Sequence, residues 1–277
     1  MIIDTHAHLF DESTYRDYQK RSGGRVDRIC TIHTPNEIAP DGKVIRLSLE
    51  EVIACAATKP DLSVIASVEM RKPVPDQLRS IEEHIRSGVV VGVKLYPGYE
   101  HFAPSDACVD PIAQFCAKHR VPLLFHSGDV YDYAGGALLH YAHPIHVDAV
   151  ATRNPTCTMV IAHFGFPYLM ETANVVGKNA NVFTEISATI SGVTKPAEVR
   201  RLTTQYAADL RRVFTYFPGV REKVMFGTDY GGEHTPLMHV RPYLDLVDRV
   251  FVPRERKRVL SELARELFPI AFPKSHE

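Results

Sequence analysis

The stretch Ile2-Ile3-Asp4-Thr5-His6-Ala7-His8 decides the fold, because it is an apolar run that passes directly into metal-ligating types of side chain. An open doubly wound sheet usually has a glycine-rich turn where its first strand meets its first helix. This chain has Asp-x-His-x-His there instead. Successive side chains of a strand point to opposite faces, so His6 and His8 are predicted to lie on the same side.

Short apolar runs rich in Val, Ile and Phe recur along the chain and alternate with longer helical patterns. The runs predict strands at Ile2–Asp4, Asp27–His33, Ser63–Glu69, Val89–Leu95, Pro122–Phe125, Thr158–Ala162, Val182–Glu185 and Lys223–Phe226. Helices are predicted at Ser48–Ala57, Pro75–Ile85, Asp110–His119, Ile145–Arg153, Tyr168–Val176, Ala197–Phe217, Tyr243–Val250 and Arg254–Leu267. Most of the strands read as apolar on both faces, which is typical of a parallel sheet covered by helices. The alternation predicts an α/β fold, a single (β/α)₈ TIM barrel over residues 1–277, because a barrel typically needs roughly 250 residues.

Polar residues stand at the ends of several predicted strands. The carboxyl ends of all barrel strands meet on one face, so residues far apart in sequence converge there. The residues are Asp4, His6 and His8 (first strand), Lys94 with Tyr96 (fourth), His126 (fifth), His163 (sixth), Glu185 (seventh) and Asp229 (eighth). Each alone has a simpler structural interpretation, such as a hydrogen-bonded histidine, a helix N-cap or a snorkelling lysine. Their conjunction favours a nitrogen- and oxygen-rich metal site, suited to Zn²⁺, with Mn²⁺, Fe²⁺ and Co²⁺ as alternatives.

Composition narrows the expected partners. The formal net charge of −1 gives no electrostatic case for nucleic acid or an anionic membrane, so a small-molecule substrate is expected. The five cysteines are widely spaced and include no Cys-x-x-Cys pair, which argues against a disulfide framework or a zinc finger. With neither a long apolar segment nor a secretory signal, the cytoplasm is the expected location. Barrels of this kind often form dimers, and a homodimer is left open.

The ordered motifs resemble the amidohydrolase superfamily along nearly the whole chain. The most similar branch is the amidohydrolase-related group, which also holds non-oxidative decarboxylases. The motifs are Ile3-Asp4-Thr5-His6-Ala7-His8, Gly92-Val93-Lys94-Leu95-Tyr96-Pro97, Leu124-Phe125-His126-Ser127-Gly128, His143-Pro144, Ile161-Ala162-His163-Phe164-Gly165, 181–187 and Met225-Phe226-Gly227-Thr228-Asp229-Tyr230. Each motif is moderately specific, and their ordered combination is highly specific.

The resemblance implies roles for these residues. His6, His8, His126 and Asp229 would hold one metal, and His163 would be a second-metal ligand or contact water or substrate. Lys94 stands where some relatives carry a carboxylated lysine between two ions, so one ion is favoured and two are expected if Lys94 is carboxylated. Asp4, Glu185, Tyr96 and Tyr131 are candidates for supporting or substrate contacts. Two departures from the pattern are Glu185, where relatives commonly have Asp, and Leu263, which stands where they often have Asn.

The expected reaction is hydrolysis of a C–O or C–N bond in a lactone, ester or amide. The metal would lower the pKa of a bound water from about 15.7 toward about 7. Asp229 would act as general base, His163 would stabilise the oxyanion, and an uncarboxylated Lys94 would attract an anionic substrate. The loops Leu9–Arg25 and Ser127–His143 are the longest candidates for substrate contacts, and Glu233 and His234 could also reach the mouth.

Two alternatives stand beside hydrolysis. Non-oxidative decarboxylation of an aromatic or unsaturated acid can use the same mononuclear site; the chain is short for that group, which favours hydrolysis. A barrel that only binds a ligand would be expected to have lost metal ligands, and all of them are present here.

Overall fold

A computed structural model describes residues 1–35, 47–130, 136–190, 195–231 and 240–272. Its central element is one eight-stranded parallel sheet whose strands follow one another in chain order. The strands are β1 (Ile3–Ala7), β2 (Arg28–Ile32), β3 (Leu62–Ser67), β4 (Val90–Leu95), β5 (Leu123–Phe125), β6 (Met159–Ile161), β7 (Val182–Glu185) and β8 (Val224–Met225). The predicted eight strands are confirmed.

Backbone hydrogen bonds between the β1 region and the segment that directly follows β8 close the sheet into a barrel. Thr5 N donates to Phe226 O at 3.1 Å, Asp229 N to His6 O at 2.7 Å, and His8 N to Tyr230 O at 2.6 Å. The strand predicted over Ile2–Asp4 therefore runs further, to Ala7, so that His6 lies within it. The predicted TIM-barrel class is confirmed.

Helices separate the strands along the chain. They are α1 (Glu12–Ser22), α2 (Leu49–Ala57), α3 (Val74–Arg86), α4 (Asp110–His119), α5 (His146–Arg153), α6 (Leu169–Lys178), α7 (Pro196–Tyr216), α8 (Val240–Val250), α9 (Pro253–Lys257) and α10 (Leu263–Leu267). The single helix expected at Arg254–Leu267 is interrupted, because Arg258–Glu262 form a wider π-helical turn between α9 and α10. No helix within the described ranges is long and apolar enough to cross a bilayer.

The segment Leu9–Arg25 was expected to be a loop, and this expectation is wrong. Most of it is α1, whose N-cap Asp11 accepts a hydrogen bond from Thr14 N at 2.8 Å. Gly23 ends the helix in a left-handed conformation with φ +61°. These caps hold a helix with little apolar surface, because they satisfy backbone groups that would otherwise be left unpaired at its ends.

Two apolar clusters flank the sheet. The larger packs the helices against the strands, and the smaller holds barrel residues such as Ile3, Ile65 and Val160 together with Leu263 and Phe268 at the C-terminal helix. The polar candidate residues His6, Lys94 and Glu185 lie toward the carboxyl ends of β1, β4 and β7.

Asp4 ties β1 to the segment that follows β8. Its carboxylate accepts hydrogen bonds from Thr228 Oγ1 at 2.6 Å, Thr228 N at 3.1 Å and Tyr18 Oη at 2.7 Å. Burial raises the pKa of Asp4 to about 6 although these bonds oppose the shift. Asp4 thus joins β1, which carries His6, to the segment after β8, which carries Asp229.

Candidate metal centre

His6, His8 and Asp229 meet where the first and last strands join. His6 lies in β1, His8 directly follows it, and Asp229 lies just beyond β8. Oδ1 of Asp229 lies 3.2 Å from His6 Nε2 and 3.0 Å from His8 Nε2. The two imidazoles that the sequence places on one side of a strand thus reach the same carboxylate oxygen.

Hydrogen bonds on the far side of each ring decide which nitrogen faces Asp229. His6 Nδ1 lies 2.9 Å from Glu185 Oε1, and His8 Nδ1 lies 3.0 Å from Ile32 O. Burial works to raise the pKa of Glu185, but His6 and His163 lower it to about 2, so this carboxylate only accepts. Each Nδ1 therefore carries a proton, and each Nε2 is the nitrogen available to a metal.

This donor set fits a divalent transition metal. The ligating atoms of His6, His8 and Asp229 lie within 4.8 Å of one another. Burial works to raise the pKa of Asp229, but hydrogen bonds to both histidines hold it well below its usual range. Burial and Lys94 work to lower the pKa of His6, yet Glu185 and Asp229 outweigh them and raise it. Positive charge is therefore favoured at this spot, and imidazole with carboxylate suits zinc and its neighbours in the first transition row.

His163 lies against the opposite side of His6, with ring centroids 4.7 Å apart. Its backbone N–H donates to Glu185 Oε1 at 2.7 Å, and its Nδ1 lies 2.7 Å from Ser187 Oγ. Burial lowers the pKa of His163 to about 3, so the ring is neutral at physiological pH. His6, His163 and Glu185 form a second group whose ligating atoms lie close enough to hold an ion.

Among the described residues, His126 contacts the group around Asp229 only through His163. Its Nδ1 is 3.3 Å from His163 Nε2, and its Nε2 is 2.8 Å from Asp129 O. Burial, His163 and Lys94 all push its pKa well below the usual range. The described geometry thus joins His126 to His163 and not to Asp229, and its role as a metal ligand stays a prediction.

Lys94 is a fully buried cation beside the centre. Among the described residues its Nζ has no hydrogen-bond partner, and it lies 5.3 Å from the centroid of the Tyr96 ring. Burial lowers the pKa of Lys94 to about 8, while the charges of Glu185 and Asp229 oppose the shift. A buried amine of this kind is neutral more often than the amine of a surface lysine. The neutral form is the one that reacts with CO₂.

The predicted supporting residue Tyr96 reaches His8 through the hydroxyl of Thr34, a residue that the sequence analysis did not single out. Tyr96 Oη donates to His33 O at 2.9 Å and lies 3.1 Å from Thr34 Oγ1. Thr34 Oγ1 in turn lies 3.0 Å from His8 Nδ1. Thr34 was missed because an isolated threonine after a strand carries no sequence signal.

Most of the non-glycine residues with positive φ follow the strands around the candidate centre. Five described residues other than glycine have positive φ, and four of them, His163, Phe164, Ala188 and Asp229, follow β6, β7 and β8. Such conformations are uncommon and concentrate at functional sites.

Tyr131, Glu233 and His234 lie outside the described residues, as does part of the predicted loop Ser127–His143.

Gly227 lies two residues beyond the end of β8 and two before Asp229, at a point that has no room for a side chain. A Cβ there would lie 2.7 Å from Glu185 Oε2 and 3.0 Å from His6 Cβ. We expect Gly227→Ala to displace Glu185 from His6, to cost about 1–3 kcal/mol of unfolding free energy, and to lower metal retention. Denaturant unfolding and metal analysis measure both effects. Gly219→Ala is the control, because nothing lies within 4 Å of its Cβ; equal stability and metal content in both variants would contradict the crowding.

Comparison with solved structures shows the fold in other proteins. An uncharacterised TIM-barrel protein from Bordetella bronchiseptica superposes with a TM-score of 0.71 at 16% identity, covering 98% of this chain and 99% of its own. A probable 2-pyrone-4,6-dicarboxylic acid hydrolase from Acinetobacter baumannii has a TM-score of 0.65 at 16% identity, covering 96% and 98%. A dihydroxybenzoic acid decarboxylase from Polaromonas sp., with bound manganese and 2-nitroresorcinol, has a TM-score of 0.62 at 12% identity, covering 97% of each chain.

A search of curated proteins found no matching sequence. The family model described as amidohydrolase matches residues 3–270, which include every residue of the candidate metal centre. The chain therefore belongs to the amidohydrolase family.

Proposed function

We propose that this protein is a metal-dependent hydrolase that cleaves a C–O or C–N bond of a small, anionic lactone, ester or amide. The observation that carries the proposal is the position of Asp229 Oδ1, 3.2 Å and 3.0 Å from the Nε2 atoms of His6 and His8. A carboxylate at the end of a barrel strand is then both a ligand and a base at the open face of the barrel.

His6, His8 and Asp229 would hold the metal, most simply Zn²⁺. His126 is the proposed fourth ligand, and this role requires its ring to leave Asp129 O or His163 Nε2, which are 2.8 Å and 3.3 Å away. One ion is favoured, and carboxylation of Lys94 would allow a second. When bound, the metal supplies a water of lowered pKa and polarises the substrate carbonyl.

The chain's own residues would carry out the remaining steps. Asp229, ionised at neutral pH, accepts a proton from the attacking water and passes it to the leaving group. The neutral ring of His163 donates a hydrogen bond to the oxygen on which negative charge develops. Lys94, which is mostly protonated below its pKa of about 8, attracts the anionic group of the substrate. Glu185 keeps His6 oriented throughout.

Decarboxylation of an aromatic or unsaturated acid is the second candidate. It is favoured by the structural similarity to the manganese-bound decarboxylase. The superposition covers 97% of the length of that protein. Chain length therefore does not separate the two reactions, and the expectation that this chain is short for a decarboxylase is wrong. The same site would then deliver a proton to the carbon that carries the carboxylate, while the bond between that carbon and the carboxylate breaks and CO₂ leaves.

Metal content per chain, measured by elemental analysis on protein purified without chelator, tests the proposal first. We expect one equivalent of a divalent transition metal in the native protein and its loss in His6→Asn. His84→Asn is the matched control, because His84 lies on α3 and pairs with Glu50. Two equivalents would indicate carboxylated Lys94 and strengthen hydrolysis. No metal after reconstitution would overturn the proposal.

The reaction is tested next with the metal-loaded protein. Small lactones, esters and amides that carry a carboxylate are assayed for hydrolysis, and dihydroxybenzoic acids are assayed for release of CO₂. Hydrolysis that is lost on chelation and restored by metal supports the first candidate. Release of CO₂ without hydrolysis would contradict the hydrolase proposal and support decarboxylation in its place.

A further inference from the structure

Helix α1 is joined to the seam that closes the barrel, formed by β1 and the segment after β8, through two tyrosine–aspartate hydrogen bonds. Tyr18 on α1 donates from Oη to Oδ2 of Asp4 in β1 at 2.7 Å. Tyr230, just beyond β8, donates from Oη to Oδ2 of Asp17 on α1. The two tyrosine rings are almost completely buried and lie edge to face, with centroids 5.2 Å apart. Two consecutive residues of α1 are therefore attached to the two sides of the seam.

These bonds hold the backbone on both sides of Asp229. The residue before it, Thr228, is bound through Oγ1 and N to the carboxylate of Asp4 at 2.6 Å and 3.1 Å. The residue after it, Tyr230, is bound through its hydroxyl to Asp17. One carboxylate of the barrel and one carboxylate of α1 thus fix the two chain neighbours of Asp229.

Asp229 needs such support because its backbone has φ +60°, in the left-handed region. A residue with a Cβ adopts this conformation at a free-energy cost and keeps it only where the surrounding structure fixes it. In this conformation Oδ1 of Asp229 lies 3.2 Å from His6 Nε2 and 3.0 Å from His8 Nε2. A change of φ at this residue would carry the carboxylate away from both rings.

Asp17 is a suitable acceptor for the Tyr230 hydroxyl. The hydrogen bond from Tyr230 lowers the pKa of Asp17, so the carboxylate is ionised at neutral pH and only accepts. Arg21 Nε, one turn further along α1, donates to the same carboxylate oxygen at 2.6 Å. Asp17 is partly exposed and lies outside the candidate metal centre, which it reaches through Tyr230.

We propose that Tyr230 and Asp17 are positioning residues for Asp229, and that their hydrogen bond makes α1 part of the support of the metal centre. Both residues act through the backbone conformation of Asp229 and not by contact with the ion or the reacting atoms. The role of Asp229 as a metal ligand rests on the proposed function, whereas the support of its backbone can be measured without a metal.

Amide hydrogen exchange in the metal-free protein tests that support directly. Tyr230→Phe keeps the ring and removes the hydroxyl, so the amides of His8 and Asp229, which donate across the seam, should exchange about 10-fold faster. Tyr15→Phe is the matched control, because Tyr15 lies on the same helix and its hydroxyl donates to Asp61 at 2.9 Å, just before β3. It should leave both amides unchanged. Equal exchange in Tyr230→Phe and the native protein would overturn the proposal.

Metal affinity is measured next with variants on the α1 side, which leave Tyr230 in place. In Asp17→Ala the hydroxyl loses its acceptor, and the affinity for Zn²⁺ or Co²⁺, measured by competition with a chelator, should fall about 10- to 100-fold. Asp17→Asn keeps an oxygen that accepts and should retain most of the native affinity, although it also loses the charge that pairs with Arg21. An equal loss in Asp17→Asn and Asp17→Ala would assign the effect to charge and overturn the proposal.

The two measurements separate this proposal from the proposed function. If the native protein binds neither Zn²⁺ nor Co²⁺, the proposed function fails, and the exchange rates of Tyr230→Phe and Asp17→Ala still decide whether these residues support Asp229. If the native protein binds metal and Asp17→Ala binds it equally well, the proposed function stands and this proposal fails.

Discussion

Replacing Asp229 with asparagine should leave the barrel folded and lower turnover by about 10²- to 10⁴-fold, the range typical for loss of a general base. The amide has nearly the same shape as the carboxylate, but it is neutral and cannot accept the proton of an attacking water. Its NH₂ group also cannot ligate a cation. We therefore expect metal content to fall together with kcat, while circular dichroism stays unchanged.

Asp245→Asn provides the control for Asp229→Asn, because Asp245 is an exposed aspartate on α8. It should keep both the metal and the full rate. The pH dependence gives a second check. Hydrogen bonds to His6 and His8 depress the pKa of Asp229, so the native rate should not fall through loss of this base until the pH is well below 4. Full turnover in Asp229→Asn would remove this residue from the mechanism.

Lys94→Met should abolish activity on anionic substrates and at the same time stabilise the protein. Burial lowers the pKa of Lys94 from 10.5 to about 8, so below pH 8 the fold holds a proton less tightly than the unfolded chain does. By linkage this costs about 3 kcal/mol of unfolding free energy at neutral pH. Methionine has a similar length and no charge, and it removes that cost.

The sign of the effect gives a sharper test. Between pH 8 and 10.5 the unfolded chain still binds the proton that the fold has released, so this lysine makes native stability rise with pH across that window. Lys94→Met should lack this rise. Urea unfolding of the metal-free protein at several pH values measures it, with Lys118→Met, whose side chain is 70% exposed, as the control. Equal stability of Lys94→Met and native protein at pH 7 would contradict the buried charge.

The strands were predictable because each is an apolar run bounded by polar residues, and such runs are typical of a covered parallel sheet. The helix α1 was not, because Glu12–Ser22 has no continuous apolar stripe. Its signals were the cap residues Asp11 and Thr14 and the terminal Gly23, which hold the ends of a helix whatever its surface. A search for caps as well as for periodicity would have found it.

The sequence also predicted which residues gather at the barrel mouth, since strand ends converge whatever their side chains do. It could not predict ring orientation. His126 stands at the expected strand end, yet a backbone carbonyl at Asp129 holds its Nε2. Ser187 and Thr34 each contact a histidine of the candidate site through one hydroxyl. A serine or threonine two residues beyond a strand has no sequence pattern that distinguishes it from an ordinary surface residue.

The join between β1 and β8 has a consequence for how the protein is made. His8 and Asp229, two of the proposed ligands, are 221 positions apart, so the first leaves the ribosome long before the second has been translated. A nascent chain therefore cannot offer the complete candidate site until the segment after the eighth strand lies against the first strand. The proposed metal would then stabilise the closed barrel relative to every shorter chain, because binding free energy is added to folding free energy. Metal loading would thereby distinguish finished molecules from truncated ones.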